Sequence, residues 1–225
     1  MNLSTIFQQL DSLLSQQNWE EAERFLQEQL SLSEPDSQAA LTLTNELTEL
    51  YRKAGRPAEA LPTASQALEM AERMGFSQAG LYGTLLQNAA SACLEARTTG
   101  EGLEYARKAE AFLAQHGMNA SPEMAEILNT LSGLYQQLED YNQALDCQRR
   151  VLEIAQDHHS RNPEDVRYGA ALAALADLYY RAGRYENAIP VYEEALEEIK
   201  RTTGESELYR ITRQNMLLAL AAARL

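Results

Sequence analysis

Few side chains in this 225-residue sequence are placed to carry bond-making chemistry. The three histidines, His116, His158 and His159, fall at the ends of expected helices, where a cation suits the dipole. Asp157-His158-His159 lacks the i, i+4 ligand pair that a helix would offer a metal. Cys93 and Cys147 are too few and too far apart for a disulfide framework; they read as small buried hydrophobes in a reducing compartment. No glycine-rich phosphate loop, His-Glu-x-x-His motif or nucleophile elbow occurs. The sequence therefore predicts no catalysis, no metal and no cofactor. What remains is hydrogen bonding by carboxamides, because asparagine recurs at Asn45, Asn88, Asn129 and Asn215 in the middle of helical stretches. Asparagine is a mediocre helix former whose side chain competes for backbone hydrogen bonds, so its repeated use there calls for a reason. One reason is that a carboxamide carries donors and acceptors and can grip the backbone of an extended peptide regardless of its side chains. The other is that each Asn bonds a neighbouring helix and sets packing.

The elements that must position these groups follow from composition and period. Hydrophobic residues make up 45% of the chain, which is enough to bury a substantial core, and Pro and Gly number only 6 and 11. Long stretches rich in Ala, Leu, Glu, Gln and Arg point to an all-α class. Nineteen basic against 33 acidic residues give a net charge of -14, which repels nucleic-acid phosphates and anionic lipid. The acidic clusters, such as Glu193-Glu194-Glu197-Glu198, read as solvated outer faces, the alternative being a docking surface for a basic partner. No signal peptide and no membrane span is visible, so a cytoplasmic location is expected.

Four segments repeat one pattern. Ala60-Leu61, Gly102-Leu103, Ala144-Leu145 and Ala188-Ile189 are separated by 42, 42 and 44 residues, with Leu50-Tyr51, Leu134-Tyr135 and Leu178-Tyr179 upstream. A repeat of this length means a solenoid, and solenoids bind more often than they catalyse. In the clearest unit, Leu43, Leu47, Leu50, Tyr51 and Ala54 make one helical stripe, Gly55 is placed for a left-handed cap, and Pro57 suits the first turn of a second helix. Ser121-Pro122-Glu123 and Asn162-Pro163-Glu164 are expected to open later first helices in the same way, and the second unit has a Gly-rich turn over Arg97 to Gly102. The chain thus reads as a single domain over 1–225, with hairpins at about 3–31, 38–75, 79–117, 122–159 and 164–204 and a terminal helix at 207–225.

The fourth unit, with Leu175, Leu178-Tyr179, Gly183-Arg184-Tyr185, Ala188, Tyr192 and Ala195-Leu196, resembles the tetratricopeptide repeat. The usual unit has about 34 residues; the longer form here, with Leu128-Asn129-Thr130-Leu131 and Leu134-Tyr135, is similar to kinesin light chains. The resemblance implies an α-α superhelix of about eleven antiparallel helices, right-handed, whose first helices line a concave binding face. Asn45, Glu49 and Arg52, spaced i, i+4, i+7, and Asn88, Asn129, Gln136, Asp177, Arg181 and Asn215 are then candidate peptide-binding residues on that face. The expected partner is a protein or an extended peptide. A basic clamp for a C-terminal carboxylate is not evident, since Thr42, Asn45, Thr84, Asn88 and Glu126 stand on the first helices.

Two alternatives stay open. Met216 to Ala223 is apolar around its circumference, so Leu217, Leu218 and Leu220 are candidates for a homodimer or subunit interface. The array also resembles bacterial peptide-pheromone receptors, which would make it a peptide-sensing regulator without an effector domain of its own.

Overall fold

A computed structural model describes residues 2–76 and 80–224, which fold as eleven α-helices without a strand. They are α1 (Leu3–Ser15), α2 (Trp19–Ser31), α3 (Gln38–Lys53), α4 (Pro57–Arg73), α5 (Gly80–Ala96), α6 (Thr99–Gln115), α7 (Pro122–Gln137), α8 (Tyr141–Arg161), α9 (Arg167–Arg181), α10 (Tyr185–Thr203) and α11 (Glu207–Ala222). Met1, Ala79 and Leu225, at the expected ends of segments, lie outside the described residues.

The hairpin turns share one device. Two residues beyond the last helical residue, Gly55, Glu139 and Gly183 adopt φ values of 69°, 58° and 71°, and Arg97, one residue beyond α5, has φ 60°. In each case the next residue's N–H returns to the carbonyl five residues back, from Arg56 to Tyr51, Thr98 to Cys93, Asp140 to Tyr135 and Arg184 to Tyr179. This six-to-one bond, with its five-to-two companion, satisfies carbonyls that the helix end leaves open. The Gly-rich turn expected in the second unit is shorter than its composition suggests: α6 starts at Thr99, so Gly100 and Gly102 are helical, and Gly102 is buried where other units carry a small Ala.

Ser121 caps α7 by accepting from the Met124 N–H, with Pro122 at the first position, as the sequence predicts. The next boundary differs. The helix α8 runs on to Arg161, with Asn162 at its C-terminal end, and α9 begins only at Arg167 rather than beside Pro163. The Asp165 carboxylate takes the Arg167 N–H at 3.0 Å and its guanidinium as well, a local turn that outcompetes an Asn162 cap.

By packing, the chain divides into two compact units, Met1–Leu113 and Ala114–Leu225. In the first, Ile6, Leu10, Ala22, Leu26, Leu43, Leu47, Leu50, Tyr51, Ala60 and Ala92 form a continuous core. In the second, Leu145, Leu175 and Leu178, then Leu172 and Ile199, then Ala176, Tyr192 and Ala219 form successive layers. Burying a leucine contributes about 1.5–3 kcal/mol, against about 1 kcal/mol net for a hydrogen bond. The apolar stripes therefore hold each stack together, and polar contacts between helices set its register.

Candidate functional site

The polar row of the first helices is placed in pairs. Between α3 and α5, the Asn88 Nδ2 donates to Asn45 Oδ1 at 2.8 Å and to Glu49 Oε1 at 3.3 Å, while the Arg52 guanidinium donates to Asn88 Oδ1 and to Glu95 Oε1, each at 3.1 Å. Asn45 and Asn88 are both buried. Between α9 and α11, Asn215 Nδ2 donates to Asp177 Oδ1 at 3.0 Å, and the fully buried Tyr192 donates its hydroxyl to the same carboxylate. Burial, and then that bond to Asp177, raises the Tyr192 phenol far above its ordinary range. The Asn45, Glu49, Arg52, Asn88, Asp177 and Asn215 side chains thus face one another across adjacent first helices.

The helices α7 and α9 keep the register and change the chemistry. Counting from the repeat tyrosine, Arg52 and Glu95 correspond to Gln136 and Arg181, which meet at 3.5 Å. Asn45 and Asn88 correspond to Asn129 and Ala174. Alanine offers nothing to a carboxamide, so Asn129 is exposed and makes no side-chain hydrogen bond to a described residue. A cavity of about 300 Å³ lies where the pair is missing.

Three helices shape this groove. The N-terminal half of α7 gives Pro122, Ala125, Glu126 and Asn129, and the N-terminal half of α9 gives Arg167, Ala170, Ala171 and Ala174. The floor is the middle and C-terminal part of α8, through Gln148, Val151, Ile154, Ala155 and His158. Arg167 is held by Asp165, and the same guanidinium, with help from its backbone bond and His158, draws the Asp165 carboxyl down to about 2. Its positive charge is therefore already matched. Gln148 is 5% exposed, and its Nε2, like the Nε2 of His158, is buried without a hydrogen-bond partner among the described residues. Neither residue belongs to the row read from the sequence. Gln148 did leave a signal, since it interrupts the apolar stripe of Ala144, Val151 and Ala155 at helical spacing.

At the C-terminal end, α11 packs on α9 and α10 through Met216 and Ala219, so it is not without partners, although no second helix of its own follows among the described residues. Leu217 and Leu218 remain 50% and 49% exposed, and Leu220 is half-buried. No described helix is long and apolar enough to cross a membrane.

Successive antiparallel hairpins that expose a groove between alternate helices define an α-solenoid class of repeat protein. The tetratricopeptide repeat model matches residues 11–73 and 123–200, more than half of the chain, and the protein belongs to that family. Among solved structures, BtubC (BKLC) from P. vanneervenii is similar with a TM-score of 0.79 at 21% identity, covering 90% of this chain and 81% of that one. A Podospora anserina protein assigned to the kinesin light chains, with nearly identical TPR-like repeats, has a TM-score of 0.75 at 17% identity, covering 89% and 96%. A Rap protein complexed with Competence and Sporulation Factor has a TM-score of 0.69 at 15% identity, covering 95% of this chain and 64% of that one. No curated protein matches the sequence.

Proposed function

We propose that this protein is a binding scaffold that captures an extended peptide segment of a partner protein in the groove between α7 and α9. The observation that carries the reading is the broken ladder. Where α3 meets α5 and α9 meets α11, carboxamides and carboxylates satisfy one another; opposite Asn129 stands Ala174, and the space stays open. Membership of a family of interaction scaffolds supports the reading, as does the neighbouring Rap protein, which is complexed with another factor. On this reading Asn129, Gln136 and Arg181 face the ligand, while Asn45, Asn88 and Asn215 hold helices in register.

The test places the photo-crosslinker benzoylphenylalanine at Ala170 on the groove rim, or at Glu153 on the outer face of α8, in the full chain incubated with extract of its host cell. Both positions are exposed, so neither change disturbs the core. One protein species crosslinked from position 170 and absent from 153 is the expected result. Equal labelling from both positions, or from neither, contradicts it.

A second reading rests on Leu217 and Leu218, which are about half exposed on α11, with exposed Ile211 two turns before Leu218 on the same helix face. Such a patch suits association with a second copy or another subunit through α11.

A further inference from the structure

The floor of the α7–α9 groove specifies what the ligand brings, provided that the groove is a binding site as proposed above. A buried amide nitrogen without a partner is costly, and native interiors leave few of them. Here two buried nitrogens without a partner among the described residues, the amide Nε2 of Gln148 and the ring Nε2 of His158, belong to side chains of the same helix that line one cavity. The other floor residues, Val151, Ile154 and Ala155, are apolar, and so are Ala125, Ala170, Ala171 and Ala174 on the walls. The site therefore asks for two things together, an apolar group of modest size and a hydrogen-bond acceptor next to it.

Charge narrows the acceptor. Arg167 is neutralised by Asp165, and Glu126 stands exposed on the α7 wall with no ion-pair partner among the described residues. A carboxylate ligand would meet Glu126, and the one guanidinium among the lining residues, that of Arg167, is already taken by Asp165. A neutral carbonyl meets no such penalty. Length narrows the ligand further: the walls run from Pro122 to Asn129 and from Arg167 to Ala174, about 10 Å of helix each, the span of about three extended residues.

We infer that the groove is a subsite for about three residues of an extended peptide. It takes one aliphatic side chain into the cavity over Val151 and Ile154. The Gln148 amide donates to a backbone carbonyl beside that side chain, the His158 imidazole bonds the same stretch of backbone, and the Asn129 carboxamide holds the neighbouring peptide unit at the rim. Acidic residues are excluded next to the anchor by Glu126. Gln148 is thus a specificity-determining residue whose unfavourable burial in the free protein is relieved by the ligand.

The experiment is a selection of phage-displayed random dodecapeptides on the full chain, followed by fluorescence anisotropy of the enriched peptides as synthetic, N-acetylated and C-amidated probes. Enriched sequences are expected to share one aliphatic position without an acidic neighbour. Replacing that residue of the peptide by Gly should weaken binding at least tenfold, a readout that does not depend on how any protein variant folds. Gln148→Leu should weaken binding about tenfold while raising the thermal midpoint of the free protein, because an unpartnered amide is replaced by an apolar group of similar size. Ala174→Phe, at an exposed rim position, should weaken it likewise by filling the cavity. Peptides that bind both variants as tightly as the parent overturn this subsite and leave the scaffold reading standing. An acidic anchor in the enriched set overturns the subsite too, and a selection that enriches no peptide overturns both.

Discussion

Asp177 illustrates how single residues decide what the polar row does. Its carboxylate accepts from Asn215 on α11 and from the hydroxyl of Tyr192, which is 0% exposed. Asp177→Ala would leave that hydroxyl buried and unpaired, a desolvation cost of about 1–3 kcal/mol. Asp177→Asn keeps an acceptor and should recover more than half of the loss. Urea denaturation of the two variants checks this, and equal stability of both would show that the hydroxyl finds another partner. The carboxamides of Asn45 and Asn88 belong to the same kind of contact, since they bond each other at 2.8 Å inside the protein. The sequence could flag these residues because Asn is unusual in mid-helix, but spacing along one helix says nothing of which side chain stands across the gap. Gln148 was harder to see, because one polar residue in an apolar stripe is visible only as an irregularity until the neighbouring walls are known to leave it unpartnered.

At the scale of the helix and its turn, the sequence was most informative where chemistry is local. Gly55 and Gly183 take the left-handed conformation that their position after a helix suggests. Arg97 and Glu139 occupy the same register without glycine, yet the turn hydrogen bonds are retained. A non-glycine residue there costs about 1–2 kcal/mol, of which glycine's extra freedom in the unfolded chain takes back about 0.5–1 kcal/mol. Glu139→Gly should therefore stabilise the protein by up to about 1 kcal/mol, read as a higher midpoint in thermal unfolding, and an unchanged or lower midpoint would contradict this account. The start of α9 at Arg167 departs from the sequence pattern for an equally local reason. Asn162-Pro163-Glu164 has the residue types of a helix start, but Asp165 binds both the backbone and the guanidinium of Arg167 and forms a turn first.

At the scale of the molecule, α11 carries exposed apolar side chains on its outer side. Half-exposed Leu217 and Leu218 are the feature that association through this helix would explain. That reading expects light scattering on the purified chain to give about twice its mass of 25.2 kDa, falling to the single-chain value in a Leu217→Glu, Leu218→Glu double variant. The single-chain mass in both samples would remove it. Leu220, half-buried on α11, is the less suitable of the three leucines for such a test because its replacement would also disturb the packing within the chain.

The sequence by itself determined the class, the repeat and the hairpin turns, because helical periodicity, small residues at fixed spacing and capping residues act over a few positions. It also marked an uncommon row of asparagines. Only the tertiary structure decided which of them are spent on one another. Asn45 and Asn88 meet across α3 and α5, whereas the equivalent step from α7 to α9 sets Asn129 opposite Ala174 and leaves a cavity floored by Gln148 and His158. Residues more than forty positions apart make that difference, and whether a polar group is satisfied depends on what stands across a gap that no single helix defines.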